Sequence, residues 1–163
     1  MQRAKIGVSR NPALCRAPTF AGTQVDTGMT FFVWDPGLSV GNEAIDDDHR
    51  KLIALINLLH AAMQKGVGEP LVRGMLDELD DYVVGHFGRE EEYMHRLLYV
   101  GYTEHKKAHR AFRRQVRSLR SAFREGAYSM AVPILLALRG WLSSHILNAD
   151  RALADTIRKS REA

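Results

Sequence analysis

The sequence predicts an all-α fold, an up-down-up-down four-helix bundle preceded by an extended N-terminal arm. Three observations support this. Alanine, leucine, arginine and glutamate abound beyond about residue 43, and all four favour helix. Four stretches place apolar residues at the 3.6-residue helical period, with short links between them. Each of those four stretches also sets at least one histidine on its apolar stripe. The 163 residues suffice for one domain with a sizeable core and are too few for two comfortable ones.

Residues 1–28 mix Gly, Pro, Thr, Ala and Arg without periodicity and read as a disordered extension. The domain is taken as residues 29–163, because Met29 opens a well-patterned segment. From Thr30 to Gly41, aromatic residues flank the Pro36-Gly37 turn signal, which reads as an extended, partly buried lead-in. Trp34 is expected to pack across the end of the bundle.

The first helix is expected to start near Asp46, where three aspartates supply a cap and favourable charge at the positive helix end. His49, Leu52, Ile53, Ile56, Leu59 and His60 follow the period, and Gly66 and Gly68 end it. The second helix opens at Pro70 and aligns Leu76, Leu79, Val83, His86, Glu90 and Met94, until Leu98 to Tyr102 break it. The third begins after Thr103 and places His105, His109, Phe112, Val116, Leu119 and Phe123 on one stripe. Glu125-Gly126 closes it. The fourth begins near Ser129, keeps Pro133 in its first turn, and carries Ile134, Leu138, Trp141 and His145 inward.

Composition excludes several classes. The net charge of +4 is concentrated in residues 1–28, which hold Arg3, Lys5, Arg10 and Arg16 against Asp26. The remainder carries 19 basic residues against 18 acidic, so there is no electrostatic footprint for nucleic acid. No run approaches the ~20 apolar residues that span a bilayer. Cys15 is the single cysteine, which rules out an intrachain disulfide and fits a reducing, cytoplasmic setting. The N-terminus lacks an apolar core followed by a small-residue cleavage site, so no secretory signal is read there.

The chemistry lies between His86 and His109. His86 and Glu90 are four residues apart, as are His105 and His109. On a helix such pairs share a face, about 6 Å apart along the axis. Each pair could grip a metal centre, and two pairs on neighbouring helices would face one another across the core. Imidazole suits iron, zinc or copper, and a carboxylate can bridge two ions. Five inward histidines are costly to bury unless each is hydrogen-bonded or metal-bound. Asp150 is the second carboxylate candidate, at an awkward five residues from His145. Those positions lie about 140° apart on an ideal helix, so either the aspartate reaches across or that turn is locally widened.

His49, the His-x-x-x-Glu at 86–90, the His-x-x-x-His at 105–109 and the His-x-x-x-x-Asp at 145–150 together resemble the hemerythrin signature. Trp34-Asp35, Val40-Gly41-Asn42 and Ile45-Asp46 are similar too, and the likeness runs from about Phe32 to Asp150. The resemblance implies a four-helix bundle holding two iron ions in a non-haem di-iron centre. His105, His109 and His145 would hold one iron, and His49 and His86 the other. Glu90, Asp150 and a solvent-derived oxo or hydroxo group would bridge them. Reversible binding of dioxygen at the less crowded iron follows from the same likeness, for carriage, storage or delivery, and no enzyme activity is expected. Phe87, Trp141 and Leu142 would line the dioxygen pocket and keep it dry. Two other readings stay open: an oxygen or redox sensor acting through a separate partner, and a di-iron enzyme handling peroxide, nitric oxide or iron.

His60 lies three turns beyond His49, about 16 Å away, and reads as a rim histidine. His95, Glu91 and Glu92 read as solvent-facing. Arg113, Arg117, Arg120 and Arg124 form a basic stripe on the third helix. It reads as an outer face paired with Asp77, Asp80 and Asp81. A protein partner binding this stripe or the N-terminal arm is the sharper alternative. Asp46-Asp47-Asp48 departs from the family pattern, in which a neutral residue is expected at 48, and bears on hydrogen bonding behind the ligands.

Overall fold

The computed structural model describes residues 30–126 and 128–162; the proposed extension at 1–28, with Cys15, lies outside them, as does Met29. The described chain is all-α, with no strand among the described residues. Its main helices are α1 (Glu43–Gln64), α2 (Glu69–Arg96), α3 (Tyr102–Arg124) and α4 (Tyr128–His145). A π-helical stretch, Ile146–Asp150, runs on from α4 into α5 (Arg151–Glu162). α2 and α4 each pack against both α1 and α3, so consecutive helices are neighbours around a square. Short links between packed neighbours impose the antiparallel, up-down-up-down order.

The helix ends follow local chemistry. Gly66 and Gly126 adopt φ of +61° and +70° just past α1 and α3, a left-handed conformation that costs glycine little. α1 begins three residues earlier than expected, because Asn42 rather than an aspartate caps it, accepting from the Ile45 N–H. Asp46, one turn inside, has a different task. Its buried carboxylate accepts from the Ser39 hydroxyl at 2.6 Å and the Val40 N–H at 2.9 Å, fastening the lead-in to α1.

Pro36–Leu38 form a single 3-10 turn in the lead-in, capped by Asp35, while Phe32 and Val40 are buried. The Trp34 ring is half-buried beneath the Arg50 guanidinium, whose carbon lies 4.9 Å from the ring centroid. Two details of α4 also differ from expectation. Pro133 sits in the second turn, on an exposed edge, and Leu135 rather than Ile134 is fully buried. The helix is rotated so that Ala131, Leu135, Leu138 and Leu142, which keep the helical period, meet the core.

Along most of its length the bundle has an apolar interior. Leu52, Ile56, Leu76, Leu79, Phe112 and Leu138 are fully buried. The polar cluster occupies one end, where the starts of α1 and α3 meet the ends of α2 and α4.

Candidate metal centre

His49 comes from the second turn of α1, His86 and Glu90 from late α2, His105 and His109 from early α3, and His145 from the last position of α4. Only alternating helix directions bring those positions to one level. All six are buried, as is Asp150.

The π-helical stretch resolves the awkward spacing of Asp150. A π turn bonds residue i to i+5 rather than i+4, so residues 145 and 150 return to the same face. The Asp150 Oδ1 lies 3.0 Å from His145 Nε2 and 3.1 Å from His105 Nε2, while its Oδ2 lies 3.1 Å from His49 Nε2. Glu90 divides its oxygens in the same way. Its Oε2 is 3.1 Å from His109 Nε2 and 3.5 Å from His105 Nε2, and its Oε1 is 3.8 Å from His86 Nε2.

Two overlapping donor groups result. One contains His105, His109 and His145, the other His49 and His86, and both include Glu90 and Asp150; ligand atoms within each lie within 4.8 Å of one another. The Nε2 atoms of all five histidines and both oxygens of both carboxylates are buried without a hydrogen bond that meets normal geometry. Buried polar atoms are rarely left so, and a concentration of them calls for a bound group. Imidazole and carboxylate are donors that iron accepts, and their convergence fits a metal centre.

The electrostatics show how strongly these groups depend on each other. Burial raises the Glu90 carboxyl, yet the facing imidazoles of His86, His105 and His109 hold it down to about 2. Burial also raises Asp150, but His105, His145 and His49 hold it well below the ordinary carboxylate range. His105 is lowered by burial and raised more strongly by Asp150 and Glu90, ending at about 9. His109 is lowered, because burial outweighs Glu90.

Aromatic rings brace the three-histidine side. Phe87 stacks on His109 with centroids 3.7 Å apart, and Trp141 stacks on His145 at 4.2 Å. Phe87 also lies 5.5 Å from the His86 ring, and Leu142 is fully buried one turn before His145.

Away from the cluster, His95 and Glu92 are exposed, and His60 stacks on Phe31 at 4.3 Å. Glu91 departs from the sequence reading. It is half-buried, bonds Lys106 Nζ at 2.7 Å, and reaches within 3.4 Å of His109 Nδ1. Its position 100° round α2 from Glu90 turns it toward α3, and only helix packing reveals that neighbour. Arg120 and Arg113 pair with Asp77 and Asp80 at 2.5 and 4.0 Å, as an outer face should.

Comparison with known proteins agrees with this geometry. Residues 40–157 match the family model of the hemerythrin HHE cation binding domain. The chain is 34% identical over 130 residues to the bacteriohemerythrin of Stenotrophomonas maltophilia, covering 80% of this chain and 84% of that one. It is 35% identical over 132 residues to that of Pseudomonas paraeruginosa, with coverages of 81% and 85%. A hemerythrin-like protein of Naegleria gruberi is 30% identical over 119 residues, with coverages of 73% and 87%. Solved structures of hemerythrin carrying one leucine substitution superpose with a TM-score of 0.71 at 26% identity, spanning 78% of this chain and 98% of theirs. Matched in fold and over most of its length to proteins of that name, and gathering a buried His/Glu/Asp cluster at one end of its bundle, the chain belongs to the hemerythrin family.

Proposed function

We propose that this protein binds dioxygen reversibly at two non-haem irons held by His49, His86, Glu90, His105, His109, His145 and Asp150. The observation that carries the reading is the split of each carboxylate, one oxygen toward each donor group. Carboxylates divided in this way would suit two ions rather than one, and the two donor groups are unequal. One donor group would offer an ion three imidazoles and two carboxylate oxygens, the other would offer two of each. The side of His49 and His86 therefore has more room for an exogenous ligand. When bound, the iron pair supplies two electrons to dioxygen and recovers them on release.

The chain's own contribution is to position and to exclude water. Glu90 and Asp150 would hold both ions, one oxygen toward each donor group. Phe87 and Trp141 hold His109 and His145 by stacking, and with Leu142 they form the apolar wall proposed to line the dioxygen pocket. A site with five neutral imidazoles and two carboxylates is less electron-rich than carboxylate-dominated di-iron sites, which favours binding over onward oxidation. No helix among the described residues is long and apolar enough to cross a membrane. A reducing cytoplasm is the setting proposed from the single cysteine.

The test is anaerobic loading with ferrous iron followed by alternating oxygen and argon. Two irons per chain and a visible absorption that appears and disappears with the gas are expected. Oxidation that argon never reverses would replace carriage with the enzyme reading. A protein captured only in one gas state would favour the sensor.

A further inference from the structure

Asp48 precedes His49 on α1, and its carboxylate crosses to α2. Oδ1 accepts from the Tyr82 hydroxyl at 2.6 Å. Oδ2 lies 3.2 Å from His86 Nδ1 and accepts from Arg89 Nη2 at 2.7 Å and Nε at 2.9 Å. The Asp48 side chain is 13% exposed and that of His86 1%. Tyr82 and Arg89 both donate to this carboxylate, an arrangement that favours its charged form.

His86 therefore stands between two carboxylates. Its Nε2 faces Glu90 in the cluster, and its Nδ1 faces Asp48 behind it. Its companion His49 has no hydrogen-bond partner at Nδ1. On the two-histidine side, His86 is thus the imidazole backed by an anion. On the other side His109 has Glu91, at a longer 3.4 Å, with Glu91 25% exposed and its charge shared with Lys106.

Resting on the reading of a di-iron centre, we propose that Asp48 is a positioning residue that biases the His49/His86 iron toward its oxidised state. Accepting the His86 Nδ1–H fixes the ring with Nε2 toward the cluster and makes it a stronger donor. The negative charge favours the ion of higher positive charge. The Tyr82 hydroxyl ties the second oxygen, so the carboxylate cannot swing away. Arg89 offsets part of the charge, but its side chain is 51% exposed and solvent screens it. Asp48 exchanges no electron and no atom with the reactants; it shifts the balance between ferrous and ferric iron.

Two substitutions of opposite sign test this. Asp48→Asn keeps an acceptor for His86 and removes the charge, whereas Arg89→Gln removes the counter-charge at a half-exposed position. The readout is the midpoint potential of the iron-loaded protein, from an anaerobic redox titration followed by visible absorbance, with iron counted in each sample. D48N is expected to raise the potential by roughly a tenfold change in the oxidation equilibrium, which is about 59 mV for one electron. R89Q is expected to lower it, and E91Q to raise it by less than D48N does. Unchanged potentials, or D48N and R89Q shifting the same way, with two irons bound would overturn the role of Asp48 and leave the di-iron reading standing. Should D48N fail to fold, the direction of the R89Q shift decides. Wild-type protein that takes up no iron would sink the di-iron reading, and the tuning role with it.

Discussion

At the scale of single residues, what separates a donor from a bystander is the angle around a helix. His105 and His60 are both on inward-leaning stripes. His105 turns Nε2 toward Asp150 and Glu90, whereas His60 lies far from the cluster and stacks on Phe31. His105→Ala should abolish stable loading of at least one iron. His60→Ala should retain full iron and lose about 1 kcal/mol of stability from the broken stack. Metal analysis and thermal melting check both, and equal iron loss in the two variants would refute the helix-face argument. Four of the candidate donors, His86, Glu90, His105 and His109, were legible because i, i+4 spacing maps directly onto one face. Glu91 was not, since its partners Lys106 and His109 belong to another helix.

At the scale of elements, the π-helical stretch Ile146–Asp150 is the least regular piece of the bundle and serves the site directly. Inserting one alanine after the half-exposed Leu147 should rotate Asp150 by about 100° away from His145 and the cluster. Helical circular dichroism should stay near wild type while iron loading fails in both donor groups, because Asp150 serves both. Full loading in that variant would show that the five-residue spacing of His145 and Asp150 is dispensable. The start of α1 offers a smaller test. Asn42→Ala should cost about 1 kcal/mol in denaturant unfolding through loss of the cap. The cap was misread from sequence because Asp46 has the right residue type for one, yet packing of the lead-in claims its carboxylate instead.

For the whole molecule, the cluster couples stability to pH and to metal. In the metal-free protein, burial lowers the affinity of His105 for its proton, but Asp150 and Glu90 outweigh it and hold the pKa at about 9. The ordinary value is about 6.5. The stabilisation from that proton is therefore complete below about pH 6.5 and is lost as pH rises through about 9. Without it, Glu90 and Asp150 repel across the core. Melting temperatures of metal-free protein should fall over this range, while those of iron-loaded protein should stay nearly level, the metal having replaced the proton. Free iron at a hundredfold excess over its dissociation constant should add about 2.7 kcal/mol, which chelation removes.

The sequence by itself determined the bundle and the candidate donors. Helical periodicity and i, i+4 ligand spacing are local properties, written within a turn or two of the chain. What only the tertiary structure decided are relations between elements. They include the division of each carboxylate between two donor groups, the widened turn that brings Asp150 into line, and the grip of Asp48 on His86 from a neighbouring helix. Such contacts depend on helix rotation and approach, which packing of the whole core sets and no single stretch of residues encodes.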